Sequence, residues 1–186
     1  MLFTKEAIKK INTVGSLKPS SKYLIRKCLK DLDFTKNQII VEFGAGSGNF
    51  TEEILQRITT DSKLIVYETN QNFYEHCLKK FKNYKNFEIH HLSALEFDKT
   101  QSLQNKKVDH IISSLPLSLL NKELIDAIMQ KVVLHLKSDG YFVQYQYSFE
   151  KYTYLKEKFK HVKLDFVLRN IPPSFIYKCS MNSNLK

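Results

Sequence analysis

The chain of 186 residues has no tryptophan, four prolines, five glycines and three cysteines. Cys28, Cys77 and Cys179 are odd in number, far apart and form no Cys-x-x-Cys pair, which argues against a disulfide framework and a cysteine-ligated zinc site and fits a reducing cytoplasm. No metal site is expected. No run of about 18 consecutive apolar residues occurs, so no membrane-spanning helix is encoded. The N-terminus carries Lys5, Lys9 and Lys10 but neither an apolar secretory core nor a small-residue cleavage site. Internal repeats and low-complexity tracts are also missing, and solenoid or disordered architectures with them. What is present suits one globular domain: hydrophobic content is 42%, with 10 Tyr and 13 Phe to fill a core.

Scarcity makes the glycines informative. Three of the five, Gly44, Gly46 and Gly48, stand at alternate positions in one loop, directly after the run Ile39-Ile40-Val41-Glu42-Phe43. Glycines there let a backbone approach a ligand with no Cβ in the way and adopt positive φ at little cost. Twenty residues after Gly48, a second apolar run, Leu64-Ile65-Val66-Tyr67, ends at Glu68, whose carboxylate can accept from both hydroxyls of a ribose. The pair of features points to S-adenosylmethionine. A dinucleotide site uses the same parts but wants glycine at the first, third and sixth positions of its fingerprint, and here the sixth is Asn49. A purely structural glycine turn is the third reading.

From Gln38 onward, strand-like apolar runs alternate with helical patterns, which predicts a parallel sheet covered by helices on both faces. Strands are expected at 38–43, 63–68, 86–91, 108–113 and 141–147. Asn49 with Glu52 reads as a capping box opening the first of the alternating helices. Asn70 caps the next, which carries Phe73, Cys77 and Phe81 on one face, and Asn121 caps a third, ended by a turn at Ser138-Asp139-Gly140. A polar loop is expected at 98–107. After a helix presenting Phe149, Tyr152, Leu155 and Phe159, runs at 163–169 and 174–179 flank Asn170-Ile171-Pro172-Pro173, a link short enough to imply an antiparallel pair. The expected fold class is α/β: a doubly wound, Rossmann-like seven-stranded sheet closing with a C-terminal antiparallel hairpin, the order of class I methyltransferases.

Net charge is +10, and residues 1–36 hold nine Lys/Arg against three acidic residues. Phe3, Ala7, Ile8 and Ile11 repeat at helical spacing opposite Lys5, Lys9 and Lys10, an amphipathic basic helix. Such a segment is drawn to polyanions, either nucleic acid or an anionic bilayer, and weakly so at high salt. Its ordinary alternative is a solvated helix face packed on its own domain.

In an open parallel sheet, ligands collect at the carboxyl ends of the strands, where strand order reverses. Four segments meet there: the loop 44–48, Glu68 with Thr69, the stretch His91-Leu92-Ser93-Ala94, and Ser113-Ser114-Leu115-Pro116-Leu117. Ser93 stands where methyltransferases usually offer an Asp to adenine. His90 and His91 project to opposite faces of a strand and read as ordinary polar residues. Amino-methylating enzymes of nucleic acids carry Asn/Asp-Pro-Pro-Tyr/Phe near strand four, and this chain lacks both the Asn and the aromatic, so a flipped base loses its platform.

The chain resembles bacterial phospholipid N-methyltransferases, which convert phosphatidylethanolamine toward phosphatidylcholine. The resemblance runs over most of its length and is carried by Lys18-Pro19-Ser20-Ser21, Glu42 to Gly48, Ser114-Leu115-Pro116-Leu117, Gln144-Tyr145-Gln146-Tyr147-Ser148 and Arg169-Asn170-Ile171-Pro172-Pro173-Ser174-Phe175-Ile176-Tyr177. Ser93, Ser113 and Ser148 depart from the family pattern. The resemblance implies a donor site of Glu42, Gly44, Ala45, Gly46, Gly48, Glu68, Thr69, Ser93, Ala94 and Ser114. It implies a lipid site of Ser20, Ser21, Leu115 and Arg169, the last holding the lipid phosphate, and it makes Tyr145 and Tyr147 the catalytic pair lining the amine pocket. Residues 1–36 would then be a helical membrane-binding or lid segment and 37–186 the S-adenosylmethionine-binding domain. The protein would sit in the cytoplasm, peripheral at the inner face of the membrane, bound to anionic lipid and not to nucleic acid. The alternatives are a ribosomal RNA adenine N6-methyltransferase-like enzyme, whose motif near strand four is Asn-Leu-Pro-Tyr, and a non-enzyme that only binds membrane.

Overall fold

Polar caps at Ser21, Asn70 and Asn121 set three of the helix starts and apolar runs set the strands, and together they give one sheet. The structure, a computed structural model, describes residues 20–182. In chain order it contains α1 (Lys22–Leu29), β1 (Ile39–Phe43), α2 (Asn49–Leu55), β2 (Lys63–Tyr67), α3 (Gln71–Phe81) and β3 (Phe87–His90). Two 3-10 turns follow (Ala94–Lys99 and Gln101–Leu103), then β4 (Val108–Ser113), α4 (Lys122–His135), β5 (Leu136–Gln146), α5 (Tyr152–Lys158), β6 (His161–Val167) and β7 (Ser174–Ser180). The seven strands lie in the order β3-β2-β1-β4-β5-β7-β6. Strands β1 to β5 pair in parallel, and β7 runs antiparallel to both β5 and β6. This is the expected class I methyltransferase architecture. Because β1 pairs with β2 on one side and β4 on the other, strand order reverses at its carboxyl end, where the glycine loop begins.

The central strands bury residues on both faces, as continuous apolar runs require in a doubly covered sheet. Ile40 joins a cluster with Leu24, Ile54, Leu64 and Phe81, while Val41 and Phe43 join another with Ile65, Ile111 and Val132. Asn70 caps α3 as expected, accepting from the amides of Asn72 and Phe73, and Asn121 caps α4 by accepting from Leu124. Cys77 and Phe81 are buried on α3, while Phe73 is half-buried.

Several expectations need correction. Asn49 is not the cap of α2: Gly48 takes that position in a left-handed conformation (φ 80°), and Asn49 is the first helical residue. The reason is the loop itself, which reaches the helix through a backbone turn that only glycine adopts cheaply. Strand β5 begins at Leu136, so Ser138-Asp139-Gly140 is no turn but part of an irregular strand start, opposite a register shift between Val108 and His110. A Cβ at Gly140 would lie 2.4 Å from the Asp109 carbonyl oxygen, so close strand approach, not a bend, explains that glycine. The polar loop 98–107 contains the second 3-10 turn and buries Thr100 and Leu103, with the Tyr67 hydroxyl 3.0 Å from the Phe97 carbonyl it donates to. Helix α5 starts at Tyr152, leaving Phe149 outside it and 64% exposed.

Helix α1 belongs to the basic segment yet packs on the sheet. Ser21 caps it by accepting from the Leu24 amide, and Leu24, Ile25, Cys28 and Leu29 are buried. Asp31 accepts from Lys178 of β7 at 2.6 Å, a lysine only 1% exposed, and Lys27 pairs with Asp165 of β6 at 3.3 Å. The amphipathic helix read at residues 3–11, together with Lys18 and Pro19, lies outside the described residues. Among the described residues no helix is long and apolar enough to cross a membrane.

Candidate functional site

The loop after β1 is held by its own backbone. Gly44, Gly46 and Gly48 all have positive φ (81°, 51° and 80°). A Cβ on Gly44 would meet Ser114 Oγ at 2.4 Å, and one on Gly48 would meet the Phe81 ring at 2.7 Å, so both glycines are demanded by packing. Gly46 differs: no atom lies within 4 Å of its missing Cβ. Its positive φ with open space above describes a backbone face turned toward a crevice.

Two carboxylates frame that crevice. Glu68, at the end of β2 and 7% exposed, accepts from the Gly46 amide at 2.9 Å and from the Asn70 amide at 2.8 Å. Glu68 therefore ties the loop to the start of α3, and each oxygen retains a lone pair for a further donor. Glu42, on β1 and 2% exposed, accepts from the Thr51 hydroxyl through Oε2 at 2.8 Å. Its Oε1 is buried with no partner among the described residues. Burial, reinforced by the nearby Glu68 charge and opposed by the Thr51 bond, pushes the Glu42 carboxyl up to about 8. An orphaned, buried carboxylate oxygen is an acceptor waiting for a cation or donor.

On the far side of the crevice, Thr69 offers its carbonyl to His91, and Ser93 caps the first 3-10 turn by accepting from the Leu95 amide at 3.2 Å, with Ala94 buried behind it. His90 bonds Glu88 and stacks on Tyr67, and His91 stacks on Tyr74, so both histidines have structural partners.

The segment after β4 faces inward. The Ser114 hydroxyl donates to the carbonyls of Phe43 and Gly44, at 3.0 and 2.7 Å, bracing the glycine loop. The Leu115 carbonyl accepts from two side-chain amides, Gln144 Nε2 at 3.0 Å and Gln146 Nε2 at 3.1 Å. Leu117 is wholly buried. Gln144 and Gln146 project from one face of β5, and Tyr145 and Tyr147 project from the other.

On that other face, Tyr145 stacks on Phe50 of α2 (centroids 5.6 Å apart, planes 10° apart) and meets Tyr147 edge-on at 6.4 Å. Its hydroxyl is 3.0 Å from Ser20 Oγ. Burial raises both phenols, Tyr145 far more than Tyr147, so neither is a phenolate near neutrality. Ser21 donates its amide to Asn170 Oδ1 at 3.0 Å, and the Asn170 amide nitrogen donates to the Pro172 carbonyl and to Ser174 Oγ. The Arg169 guanidinium lies over the exposed Tyr23 ring at 5.1 Å, at the tip of the β6–β7 hairpin.

Thus the structure brings Glu42, the glycines, Glu68 and Ser114 to one crevice, and Ser20 to Tyr145, which meets Tyr147. It sets Arg169 on an exposed tip. Sequence reasoning passed over Phe50, Asn170, Gln144 and Gln146 as partners. The signal for the last three was present in the Gln-x-Gln and Arg-Asn-x-Pro-Pro motifs, but their targets lie far away in the chain.

The chain matches the family described as ribosomal RNA adenine dimethylase over residues 19–161. It is 30% identical over 182 residues to an ornithine lipid N-methyltransferase of Singulisphaera acidiphila, covering 96% of this chain and 94% of that protein. It is 33% identical over 123 residues to the ribosomal RNA small subunit methyltransferase A of Mycoplasma capricolum, covering 62% of this chain and 45% of that protein. The chain thus spans less than half the length of that ribosomal relative. Among solved structures, a precorrin-6y C5,15-methyltransferase from Geobacter metallireducens superposes with a TM-score of 0.71 at 14% identity, covering 90% of this chain and 92% of that one. A ribosomal RNA methylase from Streptococcus thermophilus gives 0.64 at 16% identity, covering 88% and 97%. These two likenesses establish the fold.

Proposed function

The chain belongs to the ribosomal RNA adenine dimethylase family of S-adenosylmethionine-dependent methyltransferases, and from that premise we propose that its acceptor is the amine of a membrane lipid, not an adenine base. One observation carries this reading. The two groups that would hold a planar base amine are already engaged internally, Ser114 on the Phe43 and Gly44 carbonyls and the Leu115 carbonyl by Gln144 and Gln146. The position of the stacking aromatic is Leu117, buried in the core. A carbonyl oxygen has two lone pairs, and both have donors here. The near full-length similarity to an ornithine lipid N-methyltransferase supports the same conclusion.

The residues present fit the donor. Its ammonium would take the orphaned Glu42 oxygen, its ribose hydroxyls would add to Glu68, and its backbone-facing surface would run over Gly44, Ala45, Gly46 and Gly48, with Thr69, Ser93, Ala94 and Ser114 around it. S-adenosylmethionine supplies a methyl group already activated on a sulfonium, so the protein's task is alignment, worth roughly 7 to 11 kcal/mol, and an unprotonated amine. The apolar wall of Phe50, Tyr145 and Tyr147 disfavours the ammonium form by excluding water. With its phenol held neutral, Tyr145 serves as a hydroxyl acceptor beside Ser20, and the aromatic faces favour the methylated cation by cation–π attraction. Ser21, the Leu115 side chain and Arg169 complete the lipid site, with Arg169 on the headgroup anion.

Phosphatidylethanolamine is the substrate we favour; the ornithine lipid of the relative presents an amine on a different headgroup. The basic residues of 1–36 serve as the membrane-binding surface of a peripheral protein, through about 1 kcal/mol per basic residue near an anionic surface, while the apolar side of α1 within that segment completes the core of the domain expected at 37–186. Purified protein with methyl-labelled donor should label phosphatidylethanolamine or ornithine lipid in vesicles. Label in ribosomal RNA, or in neither, would overturn the proposal, and a preference for ornithine lipid would correct the headgroup alone. Deleting residues 2–14 should weaken sedimentation with anionic vesicles while donor affinity stays the same.

A further inference from the structure

Resting on the lipid reading above, we propose that the tip of the β6–β7 hairpin is a second membrane-contacting element, a short apolar wedge that inserts into an anionic bilayer beside the amine pocket. Leu168 and Ile171 are 74% and 72% exposed, the most solvent-open large apolar side chains among the described residues. They flank Arg169 and the buried Asn170, and Pro172-Pro173 follow at once, so the two aliphatics stand on a braced loop. The row continues down the edge strand: Leu164 and Phe166 on β6 alternate in line with Leu168 just past its end, with 39%, 45% and 74% exposure. Alternation on an outer strand should put polar residues on an open face, and here it puts apolar ones. Phe175 is 4.8 Å from Phe166 and 5.8 Å from the exposed Phe149, which extends the patch toward the end of β5.

Charge decides what covers it. Residues 166–174 contain no acidic side chain, and neither do residues 20–30, which contribute Lys22, Arg26, Lys27 and Lys30. Asn170 bonds Ser21, so the uncharged-to-basic tip is fastened to the start of the basic helix. An apolar wedge whose rim is net cationic, with Asp165 the one neighbouring carboxylate on β6 and paired with Lys27, suits an anionic lipid surface; a second copy of the same face would bring like charges together. The fastening also has direction. Asn170 holds Ser21, Ser20 holds Tyr145, and Tyr145 stacks on Phe50, so the wedge is tied by short contacts to the aromatic wall of the pocket. A tip seated in the headgroup layer therefore puts the pocket at the bilayer surface, where a lipid amine reaches it without the whole lipid leaving the membrane.

The chain has no tryptophan, so Leu168→Trp gives a protein with a single indole. With anionic vesicles its emission should shift to the blue and be quenched by lipids brominated on their acyl chains. Leu134→Trp, 63% exposed but on α4 at the opposite end of the strands, should do neither. The doubly substituted Leu168→Asp, Ile171→Asp protein should methylate amine lipid in vesicles at least about tenfold more slowly, yet match the wild type on a short-chain, monomerically soluble amine lipid and in donor affinity. Equal vesicle activity in that variant, or an indole at 168 that stays quenched by water, overturns the wedge. So does a blue shift that follows protein concentration without vesicles and accompanies a dimer in sedimentation. Failure of the wild type on the soluble lipid would instead overturn the lipid reading itself.

Discussion

The proposed donor end of the sheet and its proposed acceptor end are built on different principles. Around the crevice of β1 and β2 most contacts are short-range: Thr51 reaches Glu42 across 9 residues and the Gly46 amide reaches Glu68 across 22, with Ser114 bracing the Gly44 carbonyl from 70 residues away. At the acceptor end they are all distant: Ser20 meets Tyr145 across 125 residues, Lys178 meets Asp31 across 147 and the Ser21 amide meets the Asn170 side chain across 149. A site of the first kind needs only a strand, three glycines and an acid, and any family member can share it. A site of the second kind exists only once α1 has docked against β5, β6 and β7, so it can be retuned to a new substrate without disturbing the first.

The sharpest way to break this contrast is at Gly46. Gly46→Arg should keep the fold at a cost of about 1 to 2 kcal/mol for its left-handed backbone (φ 51°), since the space above its Cα is open, and should weaken donor binding by about 100-fold or more in calorimetry, because the side chain fills the donor's path. Gly48→Ala is the counterpart: its Cβ would lie 2.7 Å from the Phe81 ring at a φ of 80°, and overpacking with the left-handed penalty should cost about 3 kcal/mol in denaturant unfolding. If Gly46→Arg binds the donor normally, the crevice is not the donor site. If Gly48→Ala alone impairs binding, the loop acts through its shape.

At the acceptor end the largest stability effect should come from Asp31→Ala. Lys178 is 1% exposed and leans on Asp31 at 2.6 Å, so removing the carboxylate strands a buried ammonium, at a cost of about 3 kcal/mol. Lys178→Met alone should cost much less, and the double variant should recover most of the loss. Lipid methylation should fall with α1 docking in Asp31→Ala while donor affinity holds. Parallel loss of both would mean that the two ends are one unit.

The same contrast explains what the sequence disclosed. The β1 loop, Glu68, the caps Asn70 and Asn121 and the antiparallel closing pair were legible because each depends on neighbours within one or two elements. Asn49 was misread because a capping pattern and a glycine in the left-handed region compete for one position, and backbone geometry prevails where the loop arrives from a tight turn. Gly140 was read as a turn residue because sequence carries no information about the carbonyl of Asp109 pressing on it from another strand. Asn170, Gln144 and Gln146 were seen as motif letters and not as hydrogen-bonding partners, since their targets, Ser21 and the Leu115 carbonyl, are fixed by tertiary docking.

A subtler test concerns Glu42. An ordinary glutamate sits near 4.5, whereas burial pushes this one up to about 8, so between those values the folded protein holds a proton that the unfolded chain has released. Stability of the donor-free protein should therefore fall as pH rises through that window. Glu42→Gln should flatten the slope in thermal melts at successive pH values. Donor affinity of the wild type should rise over the same window as Glu42 ionises, and the Gln variant should fall behind it by about tenfold at the upper end, the worth of one charge-assisted bond. A wild-type melt that strengthens with pH would mean that Oε1 has a partner already.

The smallest expected change is also the one that isolates chemistry from architecture. Tyr145→Phe keeps the stack on Phe50 and loses only the bond to Ser20, which is half-buried and able to turn to water, so stability should drop by about 1 kcal/mol or less. If the hydroxyl receives the substrate amine, kcat on amine lipid should fall about tenfold with donor affinity unchanged, whereas Tyr147→Phe, on a ring 40% exposed, should fall less. The pH profile of the remaining activity should keep its shape, because burial holds the Tyr145 phenol well above its usual range and it does not ionise under assay conditions. Full kcat in Tyr145→Phe would reduce that residue to its ring, and the acceptor end would then work by aromatic enclosure alone, with the amine losing its proton to water before it enters.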